Sequence, residues 1–284
     1  MSWQMHLLAG VVRLTRHRRY ATAANARAYL AEPKRPARPP ARLRERLSTR
    51  EVDGFPVHTV EPETVKGPGS TVYLHGGGYV GAIATQHWDL VADIATATGR
   101  PVHVPRYGLA PQHTARDAHA LLATLLAELG GPIHLAGDSA GAGLALAAAL
   151  NAAPTGLTLV APWLDIALTN PEIPALERRD PWLSAAGLKL CGEVWRGDLA
   201  PDDPLVSPLF GDLTQLPPID LYIGGRDIGL ADCRLLRDRA PAVTLHEEPD
   251  AIHDYPLLPF APESRAARRT LLTKIGASFG RIGG

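Results

Sequence analysis

The chain has 284 residues, 45% of them hydrophobic and 20% charged, the balance of an ordinary globular protein. Its 29 Lys and Arg match 29 Asp and Glu, so net charge offers no footprint for a nucleic-acid partner or a strongly acidic substrate. Two cysteines, Cys191 and Cys233, stand in no metal-ligand spacing and make no disulfide framework, and no apolar run reaches the roughly 18 residues of a stable membrane span.

Taken in chain order, Trp3, Leu7, Leu8, Val11, Val12 and Leu14 recur at helical spacing, and residues 21–30 also read as helix. The apolar patch 7–12 precedes its basic residues, the reverse of a secretory signal, so a cytoplasmic location is expected. Residues 33–46 are rich in Pro and Arg and predict an extended connector. Its charge reads as solvation, with a basic surface against a membrane as the alternative. Residues 1–47, helical before the first strand, are therefore expected to form a cap segment over a main domain of residues 48–284. Strand patterns follow at 56–60, 71–74, 102–105, 133–136, 157–161, 219–223 and 243–246. Helix patterns follow at 88–98, 115–129, 140–150, 185–195, 230–239 and 263–279. This alternation predicts an α/β fold with a mostly parallel sheet of about eight strands covered on both faces. Residues 170–204, rich in Pro and Trp, interrupt the alternation and read as an insertion that adds to the cap.

Two motifs carry chemistry. Gly137-Asp138-Ser139-Ala140-Gly141 lies between a strand pattern and an Ala/Leu-rich helix pattern. G-x-S-x-G in that context is a nucleophile elbow, and its flanking glycines allow strand and helix to cross closely. His75-Gly76-Gly77-Gly78 follows an earlier strand pattern, where successive glycines let backbone N–H groups approach a substrate oxygen. Ser139 is the candidate nucleophile. A serine hydroxyl needs a positioned base, and His253 follows the last strand pattern, giving the chain order Ser, Asp, His. His246 is the runner-up, inside a strand pattern. Asp227, after a strand and two glycines, is the candidate orienting acid. Asp232, read as exposed or capping, and Asp250, close in sequence to His253, are its competitors. Ala140, the residue after the nucleophile, should offer its N–H to an oxyanion.

These motifs resemble the hormone-sensitive-lipase-like branch of the α/β-hydrolases over residues 71–279. Weaker echoes are Tyr107-Gly108-Leu109-Ala110-Pro111-Gln112-His113, Ala161-Pro162-Trp163-Leu164-Asp165, Val206-Ser207-Pro208-Leu209 and Gly224-Gly225-Arg226-Asp227. The resemblance assigns oxyanion donors to Gly76 and Gly77 and implies hydrolysis of short- to medium-chain carboxylic esters through an acyl-enzyme, with no metal and no cofactor. Departures stand at Gly108 and Gln112, where the family has Arg and Glu, and after His253, where Asp254-Tyr255 replaces Gly-Phe. The partner expected is a small-molecule ester; Tyr79, Trp163, Trp182 and Trp195 are candidates to line its pocket. A lactonase, amidase, formamidase or acyltransferase with the same triad, and a non-catalytic ligand-binding protein on this fold, are the competing readings.

Overall fold

Strand and helix patterns assemble, in a computed structural model that describes residues 2–280, into one eight-stranded sheet. Met1 and residues 281–284, the outer ends of the two expected units, lie outside the described residues. The strands are β1 (Leu47–Val52), β2 (Phe55–Val60), β3 (Ser70–Leu74), β4 (Val102–Pro105), β5 (Ile133–Asp138), β6 (Gly156–Val160), β7 (Ile219–Gly224) and β8 (Val243–Glu248). Their spatial order is β1-β2-β4-β3-β5-β6-β7-β8. The β1–β2 and β2–β4 pairs are antiparallel and every other pair is parallel. Every residue of β3, β4 and β6 is buried, as strands covered on both faces require. The polar edge strand β1 exposes most of its side chains, which is why its sequence, Leu-Ser-Thr-Arg-Glu-Val, carried no alternation to read.

Helices α3 (Thr85–Thr98), α4 (Ala115–Leu129), α5 (Ser139–Ala149), α8 (Leu230–Arg239) and α9 (Pro262–Ser278) connect or flank the strands. Before the sheet come α1 (Trp3–Thr15) and α2 (Ala23–Ala31); the insertion contributes α6 (Ile173–Glu177) and α7 (Ala185–Arg196). Met5, Ala9 and Val12 of α1 pack on Ala251, Ile252, Tyr255 and Ala261. At the chain reversal before α2, Tyr20 lies against Gly187 of α7 and reaches Gly78 with its phenol. The N-terminal segment thus touches the histidine loop, the glycine loop and the insertion. Its apolar helix pattern divides, however: Val12 is buried, whereas Trp3, Leu7, Val11 and Leu14 are exposed.

All eleven residues of α5 are buried, as expected for a helix apolar on every side. Its first turn crosses the ends of β3 and β5 at backbone contact. A Cβ on Gly141 would lie 2.1 Å from the Leu74 carbonyl oxygen, a distance no side chain tolerates. Neither backbone has room to yield in a close-packed interior. Gly141→Ala should therefore destabilise the protein by about 1–3 kcal/mol, read as a lower urea midpoint at unchanged slope; an unchanged midpoint would show that the crossing can relax.

Candidate active site

The carboxyl end of β5 delivers Ser139 as the first residue of α5, with φ of 50°, the left-handed region that costs a non-glycine residue strain. The loop after β7 supplies Asp227, and the loop after β8 supplies His253. Parallel strands bring these three ends to one edge of the sheet. His253 Nδ1–H donates to Asp227 Oδ2 at 2.8 Å, and His253 Nε2 lies 3.0 Å from Ser139 Oγ. Asp227 is fixed in turn by the Gly229 N–H, which donates to Oδ1 at 2.8 Å. All three side chains are buried. The sequence competitors lie elsewhere. His246 bonds Asp220 and stacks on Tyr222. Asp232, read as exposed or capping, is instead buried and accepts from Asn170 Nδ2, because the insertion folds over the start of α8.

The glycine loop lies against the serine: a Cβ on Gly76 would stand 3.0 Å from Ser139 Cβ. Gly77 has φ of 125°, open only to glycine, and its carbonyl accepts from the Gly81 N–H, which curls the loop. His75 braces it. Its Nδ1–H donates to the Gly76 carbonyl at 2.8 Å, its ring stacks on Tyr107, and its carbonyl accepts the Tyr107 hydroxyl at 2.6 Å. Burial pushes the His75 imidazole down to about 4, so it braces as a neutral ring. The Ala140 N–H sits at the start of α5, among the first N–H groups that have no partner within their own helix.

Asp138 supports the elbow from behind with its side chain. It accepts the Tyr73 hydroxyl at 2.5 Å and His87 Nε2–H at 3.1 Å. His87 Nδ1 accepts the Ala84 N–H, which sets that tautomer. These partners were absent from the sequence reading, because Tyr73 and His87 belong to a strand and a helix that carry no motif.

A narrow cleft opens beside Ser139 and His253, walled by Trp163, Leu168, Leu183, Leu188 and Ile228, with about 20 Å³ of free space. That is room for roughly one water molecule. Trp163 lines it, and Trp182 stands edge-on to the His253 ring at 5.4 Å. Trp195 corrects the sequence reading: its indole has no exposed surface and stacks on Tyr79 at 4.3 Å, forming a packed layer behind Trp163 instead of a pocket wall. Tyr79, 2% exposed, belongs to the same layer. A wider cavity of about 660 Å³ lies between Arg27, Lys34, Phe55, Arg106 and Tyr107, and it meets neither Ser139 nor His253. Among the described residues, no group of three His, Cys, Asp or Glu side chains is placed to hold a metal ion.

Two further carboxylates crowd the imidazole. Asp180, from the insertion, accepts backbone N–H groups of Trp182, Leu183 and Ile228, tying the insertion to the loop that holds Asp227. Burial and the charge of Asp227 push Asp180 up to about 7. Asp254, with φ of 53°, places Oδ2 3.2 Å from His253 Nε2, on the side of the ring that faces Ser139. Its Oδ1 is buried without a hydrogen-bond partner. A carboxylate facing the Nε2 lone pair is repelled by it, so this contact favours the form with a proton on Nε2 or on Asp254. Burial alone would lower the His253 imidazole, but Asp254 and then Asp227 and Asp180 outweigh it and raise it to about 10. Burial likewise drives Asp254 upward. The pair therefore keeps its proton well past the ordinary imidazole range.

A family profile described as alpha/beta hydrolase fold matches residues 71–257. An acetyl-hydrolase of Streptomyces hygroscopicus is 35% identical over 69% of this chain and 71% of its own. An esterase of Acinetobacter venetianus is 35% identical over 59% of this chain and 60% of its own. The crystal structure of an esterase from the bacterial hormone-sensitive lipase family superposes with a TM-score of 0.78 at 27% identity, covering 99% of both chains.

Asp254→Gly, which suits the left-handed backbone, should lower the pKa of His253 by roughly one to three units, since a facing carboxylate is removed. An NMR titration of the imidazole checks this; an unmoved titration would mean that Asp254 carries no charge the ring feels.

Proposed function

Since the chain belongs to the alpha/beta hydrolase fold family and is a carboxylesterase, we propose that it cleaves esters of short acyl groups through Ser139, His253 and Asp227. The observation that carries this reading is the unbroken hydrogen-bond chain from Ser139 Oγ through both ring nitrogens of His253 to Asp227. Ser139 Oγ attacks the ester carbonyl carbon while Nε2 takes its proton. Asp227 holds the Nδ1–H tautomer and stabilises the imidazolium that forms. The carbonyl oxygen becomes an oxyanion and receives the N–H groups of Gly76, Gly77 and Ala140, at a helix start whose dipole favours negative charge. As the tetrahedral intermediate collapses, the alkoxide leaves with the proton from Nε2. Water then attacks the acyl-enzyme by the same route and releases the acid.

Nε2 serves as a base only after the proton shared with Asp254 has gone. Activity should therefore rise with pH beyond the ordinary imidazole range, the deprotonated pair being the competent form. Chain length follows from the cleft. Leu168, Leu183 and Leu188 close the space beside Ser139 to little more than a water, which supports acetyl over long acyl chains. The name of the acetyl-hydrolase relative agrees with that preference.

The test is hydrolysis of p-nitrophenyl esters from acetate to dodecanoate, wild type beside Ser139→Ala. Turnover should be highest for acetate or propionate, and the variant should lose about a thousandfold or more. Substantial activity in Ser139→Ala would remove the nucleophile assignment; an optimum at octanoate or longer would remove the short-acyl reading.

A further inference from the structure

The formal net charge of zero conceals a segregation along the chain. The first fifty residues carry twelve Lys and Arg against two Glu, so the remaining residues carry the compensating negative charge. Part of that basic charge is neutralised in place: Arg42 pairs with Asp89, Arg46 with Glu63 and Arg50 with Glu128. Arg13, Arg16 and Arg18, at and just after the end of α1, have no carboxylate partner among the described residues.

The same helix is apolar on two faces. Met5, Ala9 and Val12 pack inward on the histidine loop. Trp3, Leu7, Val11 and Leu14 run along the outer face at spacings of one helical turn, with Trp3 67% exposed and Leu14 86% exposed. Phe260 extends the stripe, meeting Trp3 edge-on at 5.9 Å and itself half exposed. Beside it, Arg265 bonds the Phe260 carbonyl and adds a further guanidinium to the rim. Glu263, in the first turn of α9, is engaged by the N–H and hydroxyl of Ser2. Scattered exposed apolar residues need no explanation, but a continuous stripe carrying an exposed Trp and bordered by unpaired arginines does.

We propose that α1 and Phe260 form a docking face for an anionic lipid surface, with the apolar stripe inserted among acyl chains and the arginines set at the headgroups. The occupant follows from charge complementarity: an apolar partner alone would leave the arginines unanswered, and a second copy of this chain would set them against one another. The helix lies in the surface plane and does not span it; no described helix is long and apolar enough to cross a membrane. Since the inner face of α1 rests on the histidine loop, docking brings the cleft next to the lipid, where apolar esters concentrate.

Flotation of the full-length protein with vesicles of phosphatidylglycerol in phosphatidylcholine tests this. Binding should exceed that to pure phosphatidylcholine and weaken as salt screens the headgroups. The double variants Leu7→Gln/Leu14→Gln and Arg13→Glu/Arg18→Glu should each bind about tenfold less or weaker still, while circular dichroism and turnover of a water-soluble ester match wild type. Absence of wild-type binding, equal binding to both vesicle types, or binding undiminished in both variants would overturn the proposal. A dimer in light scattering that Leu7→Gln/Leu14→Gln dissolves would also overturn it, assigning the stripe to a second copy.

Discussion

Backbone contact between α5 and the end of β3 sets the geometry on which the site depends. Because Gly141 meets the Leu74 carbonyl, α5 must start where β5 ends, and Ser139 must occupy the turn with a positive φ. The residue after Leu74 opens the glycine loop, so the same contact brings Gly76 against Ser139. The candidate nucleophile and the candidate oxyanion donors are thus placed by one crossing of rigid elements rather than by a flexible loop. The cost is local strain at Ser139 and a buried carboxylate at Asp138, offset by Tyr73 and His87.

Electrostatics impose the second condition. Asp180, Asp227 and Asp254 lie buried about the His253 imidazole, and Asp138 is buried against His87. Three of them have donors of their own: hydroxyl and imidazole for Asp138, three backbone N–H groups for Asp180, Gly229 and His253 for Asp227. Asp254 has only His253, and one of its oxygens has nothing. An uncompensated buried carboxylate is relieved by holding a proton, and the nearest one to share is on Nε2. The ring nitrogen that faces the serine is consequently the one whose protonation is most sensitive to its surroundings.

The sequence disclosed what depends on local rules. Strand and helix periods located seven of the eight strands and the major helices, because buried parallel strands are continuous apolar runs. The order of Ser139, Asp227 and His253 was legible because each stands just beyond a strand end, and parallel topology collects strand ends at one edge. β1 escaped because an exposed edge strand need not be apolar. Asp180 escaped for another reason: it is a single acid in an irregular insertion, and only the folded chain sets it against Asp227. Asp254 was visible as a departure after His253, but its consequence was not, since nothing local says which way a side chain on a left-handed residue points. Trp195 shows the converse failure: an aromatic near a cap reads as pocket lining until its burial behind Tyr79 is seen.

The N-terminal segment joins these pieces. Tyr20 sits against Gly78 and Gly187, and the Tyr29 hydroxyl approaches Gly81, so one segment bears on both the glycine loop and the insertion. Through Met5, Ala9 and Val12 it also bears on the loop that holds His253 and Asp254. The cleft itself is walled by Leu183 and Leu188 of the insertion, and Tyr20 of this segment meets Gly187 beside Leu188. Shifting α1 disturbs the packing of Ala251 and Ile252, which immediately precede the histidine. The wall of the cleft and the loop that holds His253 are therefore braced by one N-terminal segment.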